Sequence, residues 1–566
     1  MSTLYPPENG SHPTEEKAPG HAREAESPPR RAQKSPGPRK PVLLHPFLLA
    51  ILPILFLYSH NMSELSIDEL LLPLVIAAGA SLLVWLLSAM IMHERLRAGL
   101  LASFFWLWFF SCGHLYDLVI RAAGAELQLE GKVPFLGIYC GLLFAGMLLL
   151  ARQQRALPTL SAMLNIIALT LVTWHTVSVG TYEVKRLLVS RRLRAPAALG
   201  AAHLGQHRIS PNIYYIVLDG YARADILREI YHYDNGDFLG FLQKRGFHVV
   251  PNARANYCQT HLSFASALNL DYLDDLAAQL GPRSHDRRPL LERIRRNRLF
   301  AFLRKQGYHI IAFPSGYSAT NLREEDARIL KPRLSALSEF QRLILKTTPV
   351  ALLVDFYSTA YMQVLENQSR AHTTRILYSL EHMPDAARSK SPVFVLAHII
   401  CPHPPFWFDR NGQIRLSVPG MAPTPLWDGT HFSGTKEDYI KGYREQLIFV
   451  NKKIKEAVDE ILEESRRPTV IIIQADHGPG AMLDWENPEK TFMKERLGIL
   501  LAYHFPDGEI PVYDDLSPVN IFRLVLDHYF GANLPLLRNE SYYSTWTHPY
   551  RFLRVTDKVE ADPNKP

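Results

Sequence analysis

Four short stretches between residues 212 and 478 carry side chains that could bind a divalent cation and activate a hydroxyl. In Val470–Gly480, VIIIQADHGPG, a β-branched run stops at Asp476 and His477. A hard carboxylate beside an imidazole makes half a metal site, and ligands of α/β sheets collect where strands end. Taken alone, Asp and Gly after a strand are ordinary turn residues. Asn212–Gly220, NIYYIVLDG, repeats the arrangement with Asp219 before Gly220. Tyr257–Asn269, YCQTHLSFASALN, sets Thr260 ahead of small and apolar residues that can begin a helix. As an N-cap, its hydroxyl would satisfy a free amide, worth about 1 kcal/mol. As a nucleophile, it would stand where helix N-terminal amides draw in an anion such as a phosphoryl group. Thr is a poor nucleophile at its free pKa, so a bound metal would have to generate the alkoxide. In Phe394–Phe408, FVLAHIICPHPPFWF, His398 is read as packing or bonding locally. His403 lies past the strand in a proline-stiffened loop. It suits contact with a phosphate or leaving oxygen, or else is a surface His among turn prolines.

These stretches need a sheet to present them. From about residue 210, Ile213–Leu218, His309–Phe313, Val393–Ala397, Val470–Gln474 and Leu497–Tyr503 read as strands, and Leu290–Lys305 and Asp438–Glu464 show helical spacing. The alternation predicts an α/β domain over 210–545 with a mostly parallel central sheet covered on both faces. The Arg-rich run Arg293–Arg298 reads as a solvated helix face.

Five apolar segments come first: Val42–Ser59, Leu70–Met92, Ala98–Val119, Val133–Ala151 and Leu157–Val179. Each approaches the roughly 20 residues a helix needs to cross hydrocarbon, so 42–180 is expected to be a five-helix transmembrane domain. The third is the weakest, since His114 and Asp117 fall near its outer end. Basic residues precede the first span and follow the second and fourth, while the alternate loops hold Glu64, Asp68, Glu69, Glu126 and Glu130. The positive-inside rule then puts the N-terminus in the cytoplasm and the α/β domain outside. The cluster Lys185, Arg186, Arg191, Arg192 and Arg194 opposes this, and is expected to lie on anionic head groups within a 181–209 linker. Residues 1–41, rich in Pro, Ser and charge, read as a disordered cytoplasmic tail, and 546–566 as a C-terminal tail.

At 566 residues the chain exceeds one ordinary core. The net charge of +7 has no basic-aromatic stripe beside it, so no nucleic-acid surface is expected. Cys112, Cys140, Cys258 and Cys401 include no C-x-x-C pair, which excludes a zinc ribbon or thioredoxin-type motif. A disulfide between Cys258 and Cys401 stays open.

Taken in order, Asp219, the T-x-x-S-x-x-S-x-x-N stretch from Thr260, the PHPPF loop and Asp476-His477-Gly478 resemble the sulfatase-like branch of the alkaline phosphatase superfamily over roughly 210–530. With membrane spans in front, the chain looks like lipoteichoic acid synthases and phosphoethanolamine transferases. That resemblance implies a metal site of Asp219, Thr260, Asp476 and His477, with Thr260 as nucleophile and His403 touching substrate. It also implies one divalent ion, Zn or Mn, or two, with His403 and His504 as candidates for the second. The sequence departs at two points. Thr260-His261-Leu262-Ser263-Phe264 lacks the Cys or Ser that sulfatases oxidise to formylglycine, and Asp219 stands where the transferases usually have Glu. The expected function is transfer of a phosphoethanolamine- or phosphoglycerol-type head group from a membrane lipid donor to a glycan or lipid acceptor. The expected location is a bacterial inner membrane, with the catalytic domain outside the cytoplasm. A hydrolase using water as acceptor, and a non-catalytic scaffold that keeps the fold, are the rivals.

Overall fold

The computed structural model describes residues 42–62, 65, 67–123, 129–152, 157–192, 210–322, 326–332, 339–356, 371–415, 428–508 and 512–560. The expected tail at 1–41 and most of the 181–209 linker lie outside them.

Five helices open the chain: α1 (His45–Asn61), α2 (Asp68–Met92), α3 (Arg95–Ala123), α4 (Leu129–Arg152) and α5 (Leu157–Arg192). Four of them, α2 to α5, are long and apolar enough to cross a membrane. The expected first span is α1, which starts beside Pro46 and has 17 residues. That is about 25 Å of helix at 1.5 Å per residue, against roughly 30 Å of hydrocarbon. It packs on α2, α3 and α5. Its buried His45 is met at both ring nitrogens: Nδ1 and Nε2 reach Ser103 and Ser161 at 2.5 and 3.0 Å. Asn165 Oδ1 accepts from the amides of Leu44 and His45 at the helix start. Outward, α2 exposes Leu71, Leu72, Val75 and Ile76, an apolar surface suited to lipid.

The α/β domain grips this bundle at two places. Helices Glu339–Lys346 and Pro349–Phe356 reach back to it: Phe340 packs edge-on to Tyr58 at 5.8 Å, and Leu352 joins Cys112, Tyr116, Leu136 and Tyr139. Gly113 permits this approach, donating its amide to Thr347 O at 3.1 Å. A Cβ there would stand 2.1 Å from Lys346 O. Gly113→Val is therefore expected to unseat the two helices at a cost of about 1–3 kcal/mol. Faster limited proteolysis within 339–356 would show it, and an unchanged cleavage pattern would refute it. The second grip is at the end of α5. Arg288 donates to Glu183 Oε1 at 2.7 Å and lies 3.2 Å from the centre of the Tyr182 ring. Arg186 pairs with Glu183 and Glu292, at 2.7 and 3.7 Å.

The domain is built on a seven-stranded sheet ordered β2-β7-β6-β1-β5-β3-β4. Its strands are β1 (Asn212–Leu218), β2 (Phe247–Val249), β3 (His309–Phe313), β4 (Arg328–Ile329), β5 (Val393–Ile399), β6 (Thr469–Gln474) and β7 (Leu501–His504). β1 runs parallel to both β5 and β6, and only the β2 and β7 pairings are antiparallel. The strands β1, β5 and β6 are buried along their whole length, as parallel strands covered on both faces should be. Tyr215 packs on Phe522 and Phe264, ring centroids 4.8 and 6.4 Å away, while its neighbour Tyr214 is equally buried facing the other way.

Some elements differ from the sequence reading. Leu290–Lys305 is two helices, Arg288–Arg295 and Arg298–Lys305, because Asn297 starts the second by accepting from Phe300 N. The expected strand at Leu497 begins only at Leu501, since Met493–Leu497 coils into a helical turn. The segment from 546, read as a tail, belongs to the domain through Glu560. There β9 (Leu553–Arg554) pairs with β8 (Tyr542–Tyr543), and Tyr550, Val555 and Val559 enter the main core.

Candidate metal centre and active site

Three adjacent strands, β6, β1 and β5, end at one edge of the sheet, and each delivers polar side chains there. Asp219 directly follows β1, Asp476 and His477 follow β6, and His398 is the penultimate residue of β5. All four are at most 3% exposed. His477 Nε2 lies 3.6 Å from Asp219 Oδ1, 3.3 Å from Asp476 Oδ2 and 3.1 Å from Thr260 Oγ1. Its Nδ1 is 2.9 Å from Gly478 O. A carbonyl only accepts, so Nδ1 carries the proton and Nε2 presents a lone pair. The Thr260 hydroxyl then donates to Nε2.

That lone pair faces two buried carboxylate oxygens, Asp219 Oδ1 and Asp476 Oδ2, neither of which has a hydrogen-bond partner. His398 Nε2 is equally unsatisfied, 3.2 Å from Asp219 Oδ2 without hydrogen-bond geometry. Buried unpaired acceptors crowded together are costly. A divalent cation among them relieves the cost, and donor atoms of Asp219, His398 and Asp476 all lie within 4.8 Å of one another. The residues present therefore fit a metal, and a set of carboxylates, imidazoles and a hydroxyl suits Zn or Mn. Burial pushes the Asp219 carboxyl up, but His403, His398 and His477 around it more than reverse this and hold it well below the usual carboxylate range. His477 is held below the ordinary imidazole value by burial and by Arg496.

The structure brings together Asp219, Thr260, His403, Asp476 and His477, the five residues picked from the sequence. Thr260 is not an N-cap: Gln259 holds that position, and Thr260 is the first residue of the helix Thr260–Ala267. Its hydroxyl is thus released from backbone duty. His403 enters through its backbone, its amide donating to Asp219 O at 3.1 Å, and its ring centroid lies 6.2 Å from that of His477. His504 does not join them. It pairs across from Ile471 and bonds Thr469 O at 3.2 Å, at the start of β6 and so at the opposite edge of the sheet. All four cysteines are free thiols, so Cys258 and Cys401 form no disulfide.

His398 is the residue missed from the sequence. One ring nitrogen does bond locally, to Thr320 Oγ1 at 2.7 Å, but the other points into the carboxylates. Register offered a signal: His398 pairs with Val217, and side chains two apart in a strand share a face, which aligns it with Asp219.

One helix face holds the loops in place. The Lys436–Glu464 helix starts with a Thr435–Asp438 capping box and presents Tyr439, Tyr443 and Gln446 at helical spacing. Tyr439 OH accepts from Gly480 N at 2.9 Å, Tyr443 OH donates to Gly220 O at 3.0 Å, and Gln446 Nε2 donates to His403 O at 3.0 Å. The loops that follow β1, β5 and β6 are thus all bonded to the same helix. Gly478 is required by crowding, since a Cβ would lie 1.9 Å from Glu495 O.

No family model matches this sequence, and no curated protein does. Among solved structures, the zinc complex of the periplasmic domain of EptC from Escherichia coli is similar over 65% of this chain and 98% of its own, at 10% identity and a TM-score of 0.41. The integral membrane lipooligosaccharide phosphoethanolamine transferase EptA from Neisseria meningitidis is similar over 86% of this chain and 95% of its own, at 10% identity and a TM-score of 0.37. A putative sulfatase from Bacteroides thetaiotaomicron covers 60% of this chain and 75% of its own, at 14% identity and a TM-score of 0.37. These likenesses are distant. The chemistry rests on this chain's own side chains.

Proposed function

We propose that the chain is a membrane-bound, metal-dependent phosphotransferase that uses Thr260 as its nucleophile. It moves a phosphoethanolamine- or phosphoglycerol-type group from a membrane lipid to a hydroxyl of a glycan or lipid. The observation that carries this reading is the position of Thr260 Oγ1, at the first turn of a helix and 3.1 Å from a histidine lone pair beside two unsatisfied carboxylates. Free amides of that first turn are suited to a phosphate oxygen.

Asp219, Asp476, His477 and His398 would hold the cation, Zn or Mn, with Thr260 beside them. Bound there, it supplies positive charge that acidifies the hydroxyl and offsets charge on the phosphate. Thr260 Oγ1 attacks phosphorus in line, its O–P bond forming as the bond to the diacylglycerol oxygen breaks. With the His477 Nε2 lone pair given to the cation, the hydroxyl proton passes to solvent, and the departing oxygen takes up a proton from solvent. An acceptor hydroxyl then attacks the phosphothreonine and restores Thr260. His403, whose Nδ1 donates to Pro404 O at 2.6 Å, turns Nε2 toward the cleft to meet the phosphate or the leaving oxygen. The grip of the domain on the helix bundle favours a lipid donor. The loop charges favour an outward-facing domain in a bacterial inner membrane.

The test uses full-length protein in vesicles of fluorescently tailed phosphatidylethanolamine or phosphatidylglycerol. The expected result is metal-dependent release of fluorescent diacylglycerol, with the head group recovered on an added glycan or lipid hydroxyl. Head group released only as the free phosphate ester would make the chain a hydrolase. No turnover of either lipid by metal-replete protein would remove the lipid donor.

A further inference from the structure

Behind His403 lies a buried ion pair that the reaction above does not use. Arg496 Nη1 stands 2.6 Å from Asp428 Oδ2, and the two residues are 1% and 3% exposed. Such a pair is weak evidence for stability, because taking both charges out of water costs about what their attraction returns. Where its atoms end is more informative. Arg496 Nε donates to Cys258 O and Nη1 to Gly478 O, both at 2.9 Å, so one guanidinium fastens the turn just before Thr260 to the loop just after His477. It lies over the Trp485 ring, 4.9 Å from the centroid.

Asp428 is equally constrained. Its Oδ1 accepts from Tyr439 OH at 2.7 Å, and its carbonyl accepts from Trp485 Nε1 at 2.9 Å. Its Oδ2 is left facing His403 Nε2 at 3.7 Å. On the far side of that ring, Nδ1 is committed to Pro404 O, so Nε2 is the only ring nitrogen free for a substrate. At 3.7 Å this is an ion-pair contact and not a hydrogen bond, and a carboxylate locked by two partners attracts the Nε2 side of the ring when both nitrogens carry protons.

We infer that Asp428 is a positioning residue for His403, held by Arg496 and Tyr439, in a brace that also joins the Thr260 and His477 loops. This rests on the reading of His403 as the group that meets the phosphate. The juxtaposition fixes where Nε2 points before substrate arrives, and Asp428 itself touches no reacting atom.

A double-mutant cycle tests it, with full-length protein, the fluorescent phosphatidylethanolamine and phosphatidylglycerol vesicles, and metal content and melting temperature recorded for each variant. Asp428→Asn is expected to lower kcat about 10- to 100-fold, the usual loss when a supporting partner of a site residue is removed. KM and bound metal should stay close to wild type. In a His403→Ala background the same change is expected to cost less than a factor of two or so, because the side chain it orients is gone. Tyr439→Phe keeps the ion pair but also releases Gly480 N, so it should give a smaller kcat loss that shrinks without His403 and does not vanish. Should Asp428→Asn fail to fold, this milder cycle decides alone. Equal losses with and without His403 would overturn the inference and leave the pair a structural element. Full activity of His403→Ala would overturn it too, by removing His403 from the reaction, while Thr260→Ala would still report on the nucleophile.

Discussion

Thr260→Ala is expected to eliminate turnover, by about 10⁴-fold or more, while the protein stays folded, inserted and metal-bound. The hydroxyl has no backbone partner, and the N-cap position belongs to Gln259, so Ala gives up no capping energy. Ala is also well suited to a helix interior. Removing one donor leaves Asp219, Asp476, His477 and His398 around the cation. On the proposed reaction, what disappears is the atom that would attack phosphorus, and water placed by the same site could not form the phosphothreonine. Thr260→Ser keeps an oxygen at that position and should retain measurable activity. The comparison needs only vesicle turnover, elemental analysis and a melting curve on the same preparations. An Ala variant that turns over like the wild type would take Thr260 out of the reaction.

Asp476→Asn is expected to cost the metal. The amide reproduces the shape of the carboxylate and can still accept from Gly220 N at its Oδ1, now 3.3 Å away. It removes the negative charge from the oxygen that faces His477 Nε2 without a partner. Wild-type protein should gain stability on adding Zn, by about 2.7 kcal/mol when the free ion is at a hundred times its dissociation constant. The variant should gain little and show no turnover. Melting with Zn and with a chelator reads the difference directly. Undiminished metal stoichiometry in Asp476→Asn would mean that the three strand ends do not form the ligand set.

Asp219 and Asp476 were legible because each lies just past an apolar, strand-like run. Ile213–Leu218 and Val470–Gln474 announce fully buried strands, and a charged residue at the end of such a run has nowhere to go but the sheet edge. Thr260 and His403 were legible through their neighbours, a run of small residues and a cluster of prolines. His398 was hidden because it lies inside a strand, where a histidine looks like core. Only pairing with β1 reveals that it shares a face with Asp219. Asp428 and Arg496 had no local signal at all. They meet across 68 residues of sequence, and their position depends on where the Lys436–Glu464 helix packs. In the bundle, apolar composition located the helices but could not show how α1 packs on its neighbours. Nor could it show that Arg186, in a basic cluster after the last helix, has Glu183 as a partner.

On the proposed function, the two attachments at Gly113 and Arg288 would give the α/β domain a set working height. A catalytic head on a free tether could sweep a hemisphere of membrane and fetch substrates at many distances. One held at two points would keep Thr260 at a single elevation above the lipid, so that donor and acceptor would both have to come to it there. Reach would then act as a selectivity filter: hydroxyls displayed at that level would be modified, and identical hydroxyls farther along an extended glycan would be passed over.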